Sequence, residues 1–151
     1  MRRAALYLIL ALTLFSCDSG SYGAVTHRGR DGRPDQWVKH ISKDEYKILI
    51  DTNGDGRPDL IKTVKGERMV EIESDRNFNG QIDLVQQYVG GVMVREIRDD
   101  NYDGKPETVK TFRPNGTLAI IERDPQGRGA IDVIEYYDQS GKMTRREVHA
   151  K

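Results

Sequence analysis

The stretch DTNGDGRPDL, residues 51–60, sets oxygen-bearing side chains at alternate places, a Gly at the sixth place and an apolar residue directly after. Such a stretch is either a tight turn between two strands or a loop that wraps a cation, and one copy does not choose between them. The chain supplies more copies. DTNGDGRPD at Asp51 recurs as DRNFNGQID at Asp75, as DNYDGKPE within residues 99–107, as DPQGRGAID at Asp124, and in reduced form as HRGRDGRPD at His27. The starts at 27, 51, 75, 99 and 124 are spaced by 24 residues three times and by 25 once. Gly holds the sixth place throughout (Gly32, Gly56, Gly80, Gly104, Gly129), and the ninth is always acidic (Asp35, Asp59, Asp83, Glu107, Asp132). Five in-register copies mean a repeat architecture.

The segments between loops repeat as well. LIKTVKGERMVEIES, LVQQYVGGVMVREIR, TVKTFRPNGTLAIIER and VIEYYDQSGKMTRREV each read as strand, turn, strand. Their flanks are rich in Val, Ile, Tyr, Thr and Phe, and their middles carry the turn pairs KG, GG, NG and SG. Apolar runs of five or six residues cut by Gly exclude helices. The first unit, QWVKHISKDEYKILI, keeps the strands with SKDE as its turn, and Pro114 supplies the extra residue of the 25-residue step. Short connections pair consecutive strands antiparallel. The fold expected is therefore all-β: an antiparallel meander of about five 24-residue hairpin repeats, roughly ten strands, forming an elongated twisted sheet or solenoid-like stack. Ten strands are too few for a propeller. Val85, Tyr88, Val109, Phe112, Ile134 and Tyr137 recur at equivalent places, with Lys62, Gln86, Lys110 and Glu135 between them, so the two faces are not cleanly divided.

The whole-chain composition agrees with a thin fold. Among 151 residues, 36% are hydrophobic, 32% charged and only 7% aromatic. Lys+Arg and Asp+Glu number 24 each, which leaves no basic field to hold nucleic acid.

The chain opens MRRAALYLILALTLFSCDSGSYGAV. Arg2 and Arg3 precede an apolar run over residues 4–15, then small and polar residues follow: the n-region and h-region of a secretory signal, too short to span a bilayer. The single cysteine, Cys17, stands where such a signal is cut. LFSC, residues 14–17, resembles the lipobox of bacterial lipoproteins, with Leu at −3, Ser at −1 and Cys at +1. The resemblance implies a diacylglyceryl group on Cys17, removal of residues 1–16, and a bacterial cell-envelope location held by several acyl chains. Asp18 resembles the signal that retains enteric lipoproteins in the inner membrane. Residues 17–26 then form the lipidated Cys and a flexible tether, and 27–151 the repeat domain, in a periplasmic or outer solution where calcium is not kept scarce.

In the 51 loop, Asp51, Asn53, Asp55 and Asp59 offer side-chain oxygens and Arg57 its carbonyl, a hard-oxygen set suited to calcium. The equivalent sets are Asp75, Asn77, Asn79, Gln81 and Asp83, and Asp99, Asn101, Asp103, Lys105 and Glu107, with Gln81 and Lys105 again contributing backbone. The 51 loop begins like an EF-hand but carries Lys62 at the twelfth place, and in that respect resembles the shorter DxNxDGxxD loops of FG-GAP and related β-repeat proteins. That resemblance implies Ca2+ in the loops; the longer repeats of those families keep their fold from carrying over. Arg128 at the fifth place of the 124 loop excludes a metal, and the 27 loop retains only Asp31 and Asp35. Zinc lacks nitrogen or sulfur ligands here.

No nucleophile motif accompanies His27, His40 or His149, so the expectation is a binding or structural protein rather than an enzyme. The leading reading is a lipid-anchored envelope protein whose calcium-loop repeats act as a spacer or partner-binding module, meeting an envelope protein or polymer. The alternatives are a metal-free β-repeat lipoprotein and an accessory subunit of an envelope enzyme or secretion complex.

Overall fold

The repeats form eleven strands. They are β1 (Val25–Arg28), β2 (Pro34–His40), β3 (Glu45–Ile50), β4 (Leu60–Lys65), β5 (Arg68–Ser74), β6 (Leu84–Val89), β7 (Val92–Arg98), β8 (Thr108–Phe112), β9 (Leu118–Arg123), β10 (Val133–Tyr137) and β11 (Met143–Val148). The computed structural model describes residues 25–29 and 32–149. The signal, Cys17, Asp18 and Asp31 lie outside the described residues. The strand beyond the expected ten is β1, which opens at Val25, inside the stretch read as tether.

All eleven strands pair antiparallel in one sheet whose spatial order is the order of the chain. The sheet is open, with β1 and β11 at its edges. Among the described residues no helix occurs. The long connections, which carry the acidic motifs, all leave odd-numbered strands; the tight turns leave even-numbered ones. Every acidic loop therefore lies along one margin of the sheet. Neighbouring loops are two strands apart, about 10 Å at the usual strand spacing.

The turns on the other margin follow their residues. Lys65 pairs with Arg68 across Gly66 and Glu67, at φ 54° and 62°. Two consecutive left-handed residues make a type I′ turn, whose twist matches that of the strands. In the β8–β9 turn, Arg113 N–H donates to the Thr117 carbonyl at 2.8 Å and Gly116 N–H to the Arg113 carbonyl at 2.8 Å. Pro114 begins this longer turn, as the 25-residue step implies.

The longest run of buried side chains is one cross-strand row. Trp37, Leu49, Ile61, Glu73, Val85, Ile97 and Val109 stand directly opposite one another in successive pairs. All but Ile97 are buried, Leu49 to 2% exposure. Each such apolar side chain contributes about 1.5–3 kcal/mol, and Trp37 belongs to the core. Outside the row, Thr63, Val64, Thr108, Ile121 and Val133 are also buried, and most of the remaining strand residues are half-buried or exposed, because a single layer has no second sheet to cover it. What positions the functional loops is this one apolar row running alongside them.

Candidate metal centre

The register of the ladders continues past the strand ends into the loops. Asp51 N–H donates to the Asp35 carbonyl at 2.9 Å, Asp75 to Asp59 at 2.8 Å, Asp99 to Asp83 at 2.9 Å and Asp124 to Glu107 at 2.8 Å. Each first-place acid thus stands opposite the ninth-place acid of the preceding loop. At the far end His149 N–H donates to the Asp132 carbonyl at 2.7 Å, so a histidine closes the row. The carboxylates are largely buried: Asp51, Asp59, Asp75, Asp83, Asp99, Asp124 and Asp132 are all 8% exposed or less. Like charges facing one another across strands are destabilising, so each carboxylate needs donors.

The loops supply them in a repeated way. Gly56 N–H donates to Asp51 Oδ2, Gly80 to Asp75 Oδ2 and Gly104 to Asp99 Oδ2, each at 2.7 Å, and Gly129 donates to Asp124 Oδ2. Gly56, Gly80, Gly104 and Gly129 have φ between 78° and 90°, which aims the amide back at the first-place acid and explains the invariant sixth place. The ninth-place acid takes the second-place N–H: Thr52 to Asp59 at 2.9 Å, Arg76 to Asp83 at 2.8 Å, Asp100 to Glu107 at 2.7 Å. In the 124 loop the second place is Pro125, which has no N–H. There Arg128 Nη2 takes over, 2.8 Å from both oxygens of Asp132.

The third and fifth places turn the chain. Asn53, Asn77 and Asn101 accept from the N–H two residues on, at 2.8, 3.0 and 2.8 Å. Asp55, Asn79 and Asp103 accept in the same way from Arg57, Gln81 and Lys105, each at 2.8 Å. The three seventh-place residues thereby close the loops through their N–H groups. These bonds satisfy the turn-forming role of Asp and Asn, and a cation has to be argued from what they leave over.

What they leave over differs between loops. Among the described residues, only Asp99, Asp103 and Glu107 form an acidic triplet whose ligand oxygens lie within 4.8 Å of one another. Glu107 Oε2 accepts from Asp100 and Asn101, but its Oε1 is buried without a hydrogen-bond partner. In the 51 loop, Thr52 Oγ1 donates to Asp59 Oδ1 at 2.6 Å, while Thr52 and Asn53 N–H groups occupy Oδ2. Asp51, Asn53, Asp55 and Asp59 keep the geometry of the 99 loop, but both oxygens of the ninth-place acid are already bonded. Glu107 is one methylene longer, and the second-place residue beside it has no hydroxyl. Asp100 turns away to Arg98 at 2.9 Å and Arg76 at 3.1 Å.

The 75 loop carries a cation of its own. Arg76 Nε donates to Asp83 Oδ1, and its Nη2 reaches the Asp99 carbonyl at 3.0 Å. Asp75, Asn77, Asn79 and Asp83 are arranged as in the other loops, but the guanidinium occupies the ninth-place acid. Reading the alternate places missed Arg76 because the second place supplies no metal ligand; its charge was the available signal. In the reduced first loop, His27 Nδ1 lies 2.6 Å from Asp35 Oδ1, first place against ninth.

No protein-family model and no curated protein sequence matches this chain.

Proposed function

We propose that the chain is a bacterial envelope lipoprotein, anchored through Cys17, whose acidic loops bind calcium and thereby stiffen a single-layer sheet that serves as a spacer or partner-binding surface. The observation that carries the calcium reading is the buried, unpartnered Oε1 of Glu107 beside Asp99 and Asp103. A buried carboxylate oxygen with no donor is costly, and a hard divalent cation held by several oxygens removes that cost. The 99 loop is the first site on this reading, the 51 loop the second, and at the 75 loop an ion has to displace Arg76 from Asp83. Magnesium suits the set less well, since it requires a tighter octahedron and retains its waters.

Calcium acts here as a structural ligand. Extracellular modules bind it with Kd of about 0.1–1 mM. At ~1 mM calcium and a Kd of ~0.1 mM, one site adds about 1.4 kcal/mol, a sizeable part of a small domain's stability. The lipid anchor places the sheet in a solution that supplies the ion. The lipobox-like LFSC and the lone Cys17 support that placement.

Native mass spectrometry of membrane-extracted protein in calcium tests both halves, because it reports bound ions and acyl mass together. The expected result is at least one ion, an acylated N-terminus at Cys17, and a melting temperature that falls on chelation. Glu107→Gln is expected to weaken the tightest site about tenfold, near 1.4 kcal/mol. A well-folded chain with the same melting temperature in calcium and in chelator removes the calcium reading. An intact residue 1–16 segment on the mature protein removes the anchor.

A further inference from the structure

In the 99 and 124 loops the fourth place reaches onto the loop before it. Tyr102, at the fourth place of the 99 loop, lies under the guanidinium of Arg76 in the 75 loop, 5.8 Å from Cζ to ring centroid. At the fourth place of the 124 loop stands Gly127, with φ 61°. A Cβ on Gly127 would lie 2.9 Å from Asn101 Nδ2, 3.5 Å from Asp103 Oδ2 and 3.7 Å from Glu107 Oε1. Two carboxylate oxygens and the Asn101 amide nitrogen of the 99 loop thus converge on the place where Gly127 has no side chain. One of these residues, Glu107, holds a buried oxygen without a partner, as Asp124 does in the 124 loop itself. Gly54, at the fourth place of the 51 loop, has no such neighbours.

We propose that the metal site of the 99 loop is shared between two repeats: the 124 loop, which binds no ion of its own, forms the outer wall of the site, and the missing side chain of Gly127 leaves the room a calcium ion requires. This rests on the calcium reading above. The contrast between neighbouring loops supports it. Where Arg76 fills the 75 loop, an aromatic ring lies over the guanidinium; where Glu107 Oε1 lacks a donor, the covering residue is glycine. Asn101 cannot yield to a methyl group without leaving the ligand set, because its Oδ1 already accepts Asp103 N–H at 2.8 Å and its Nδ2 meets Asp103 Oδ2 at 3.2 Å. Arg128 makes the arrangement possible. It neutralises Asp132 from within the 124 loop, while Asp124, 1% exposed, takes the Gly129 and Ala130 N–H groups on Oδ2 and keeps an unpartnered Oδ1.

The test compares Gly127→Ala with Gly141→Ala in the full lipidated chain. Gly141 has φ 81° and nothing within 4 Å of the place a Cβ would take, so it carries the same left-handed backbone penalty without the contact. Calorimetric titration with calcium is expected to show the tightest site weakened at least tenfold in Gly127→Ala and unchanged in Gly141→Ala. Hydrogen exchange on the unsubstituted chain gives a second readout that needs no variant. Calcium is expected to slow exchange at the amides of the 124–132 loop as well as those of 99–107. Equal titrations for the two variants, or protection confined to 99–107, overturns the shared site and leaves calcium binding intact. A wild-type chain that takes up no calcium removes both ideas.

Discussion

The side chain of Arg76 lies on the carboxylate of Asp83, and the same arginine's backbone N–H donates to the other oxygen of that carboxylate at 2.8 Å. One residue thus gives Asp83, 4% exposed, both of its donors. Arg76 also ties the 75 loop to the next, through the Asp99 carbonyl at 3.0 Å and Asp100 at 3.1 Å. Burial and these partners act on Asp100 in opposite senses: burial alone would raise its pKa, and Arg98 and Arg76 outweigh it and hold the carboxyl below its usual range.

An internal guanidinium and a bound divalent ion compete for the same oxygens. Replacing Arg76 with Gln keeps the backbone donor and removes the charge. Arg76→Gln is expected to lower stability in chelator by about 1–3 kcal/mol, since a buried charge loses its partner, and to gain one calcium ion in native mass spectra. The chain should then depend on calcium more than wild type does. An unchanged ion count would show that the amides Asn77 and Asn79 leave the loop too weakly charged for a metal even when it is vacated.

Acid should weaken the fold. Burial alone would raise the pKa of Asp124, but backbone N–H groups of Arg128, Ala130, Gly129 and Gln126 outweigh it and hold the carboxyl below its ordinary range. Burial likewise works against Glu96, and Lys110 at 2.7 Å, with Gln86 and Arg98, pulls it down. A folded-state pKa below the unfolded one contributes stability that is present above the unfolded value, about 4, and is lost as pH falls through the folded value. Urea midpoints in chelator are expected to hold level from pH 7 to 5 and to fall below about 4. A midpoint that rises there instead would mean that repulsion along the carboxylate row outweighs its hydrogen bonds.

The fold was legible because it is periodic. The 24-residue offset, the invariant Gly and the turn pairs KG and GG fix strand, turn and loop in each unit, and the meander follows. The eleventh strand was not legible, since Val25 to Arg28 has only a partial motif behind it. Within the loops, alternate places showed which side chains face inward, but the even places decide how each loop is satisfied. Thr52 occupies a carboxylate oxygen, Arg76 brings a cation, and Pro125 withholds a donor that Arg128 replaces. The pairing of Asp99 with Asp83, and of Asp124 with Glu107, depends on cross-strand register, which no single loop reveals.

The apolar row contains one acid, Glu73, at 6% exposure between Ile61 and Val85. Lys47 reaches over from β3 to bond it at 3.0 Å. Lys47→Met is expected to cost about 2–3 kcal/mol, below the full value for a completely buried pair because the lysine is partly exposed. Adding Glu73→Val should recover most of that loss, since a hydrophobic side chain there continues the row. Urea unfolding of the two variants checks both numbers. If the double variant stays as weak as the single one, the lysine acts through packing and not through charge.

Phe78 and Tyr102 hold the fourth place of their loops at φ 61° and 64°, a left-handed conformation that the 51 loop assigns to Gly54. A side chain there costs roughly 1–2 kcal/mol, partly offset by the greater chain entropy that glycine loses on folding. Phe78 is 49% exposed, so little packing compensates it. Tyr102 has the Arg76 guanidinium over its ring at 5.8 Å, worth about 0.5–1 kcal/mol at such a site. Phe78→Gly is therefore expected to stabilise by about 0.5–1 kcal/mol, a rise of about 1–4 °C in Tm for a chain of this size. Tyr102→Gly should leave Tm nearly unchanged, because relief of strain and loss of the ring contact cancel. Differential scanning calorimetry in chelator separates the two cases. Equal gains at both positions would show that the ring of Tyr102 does nothing for Arg76, and that the aromatic fourth place is kept for contacts beyond this chain.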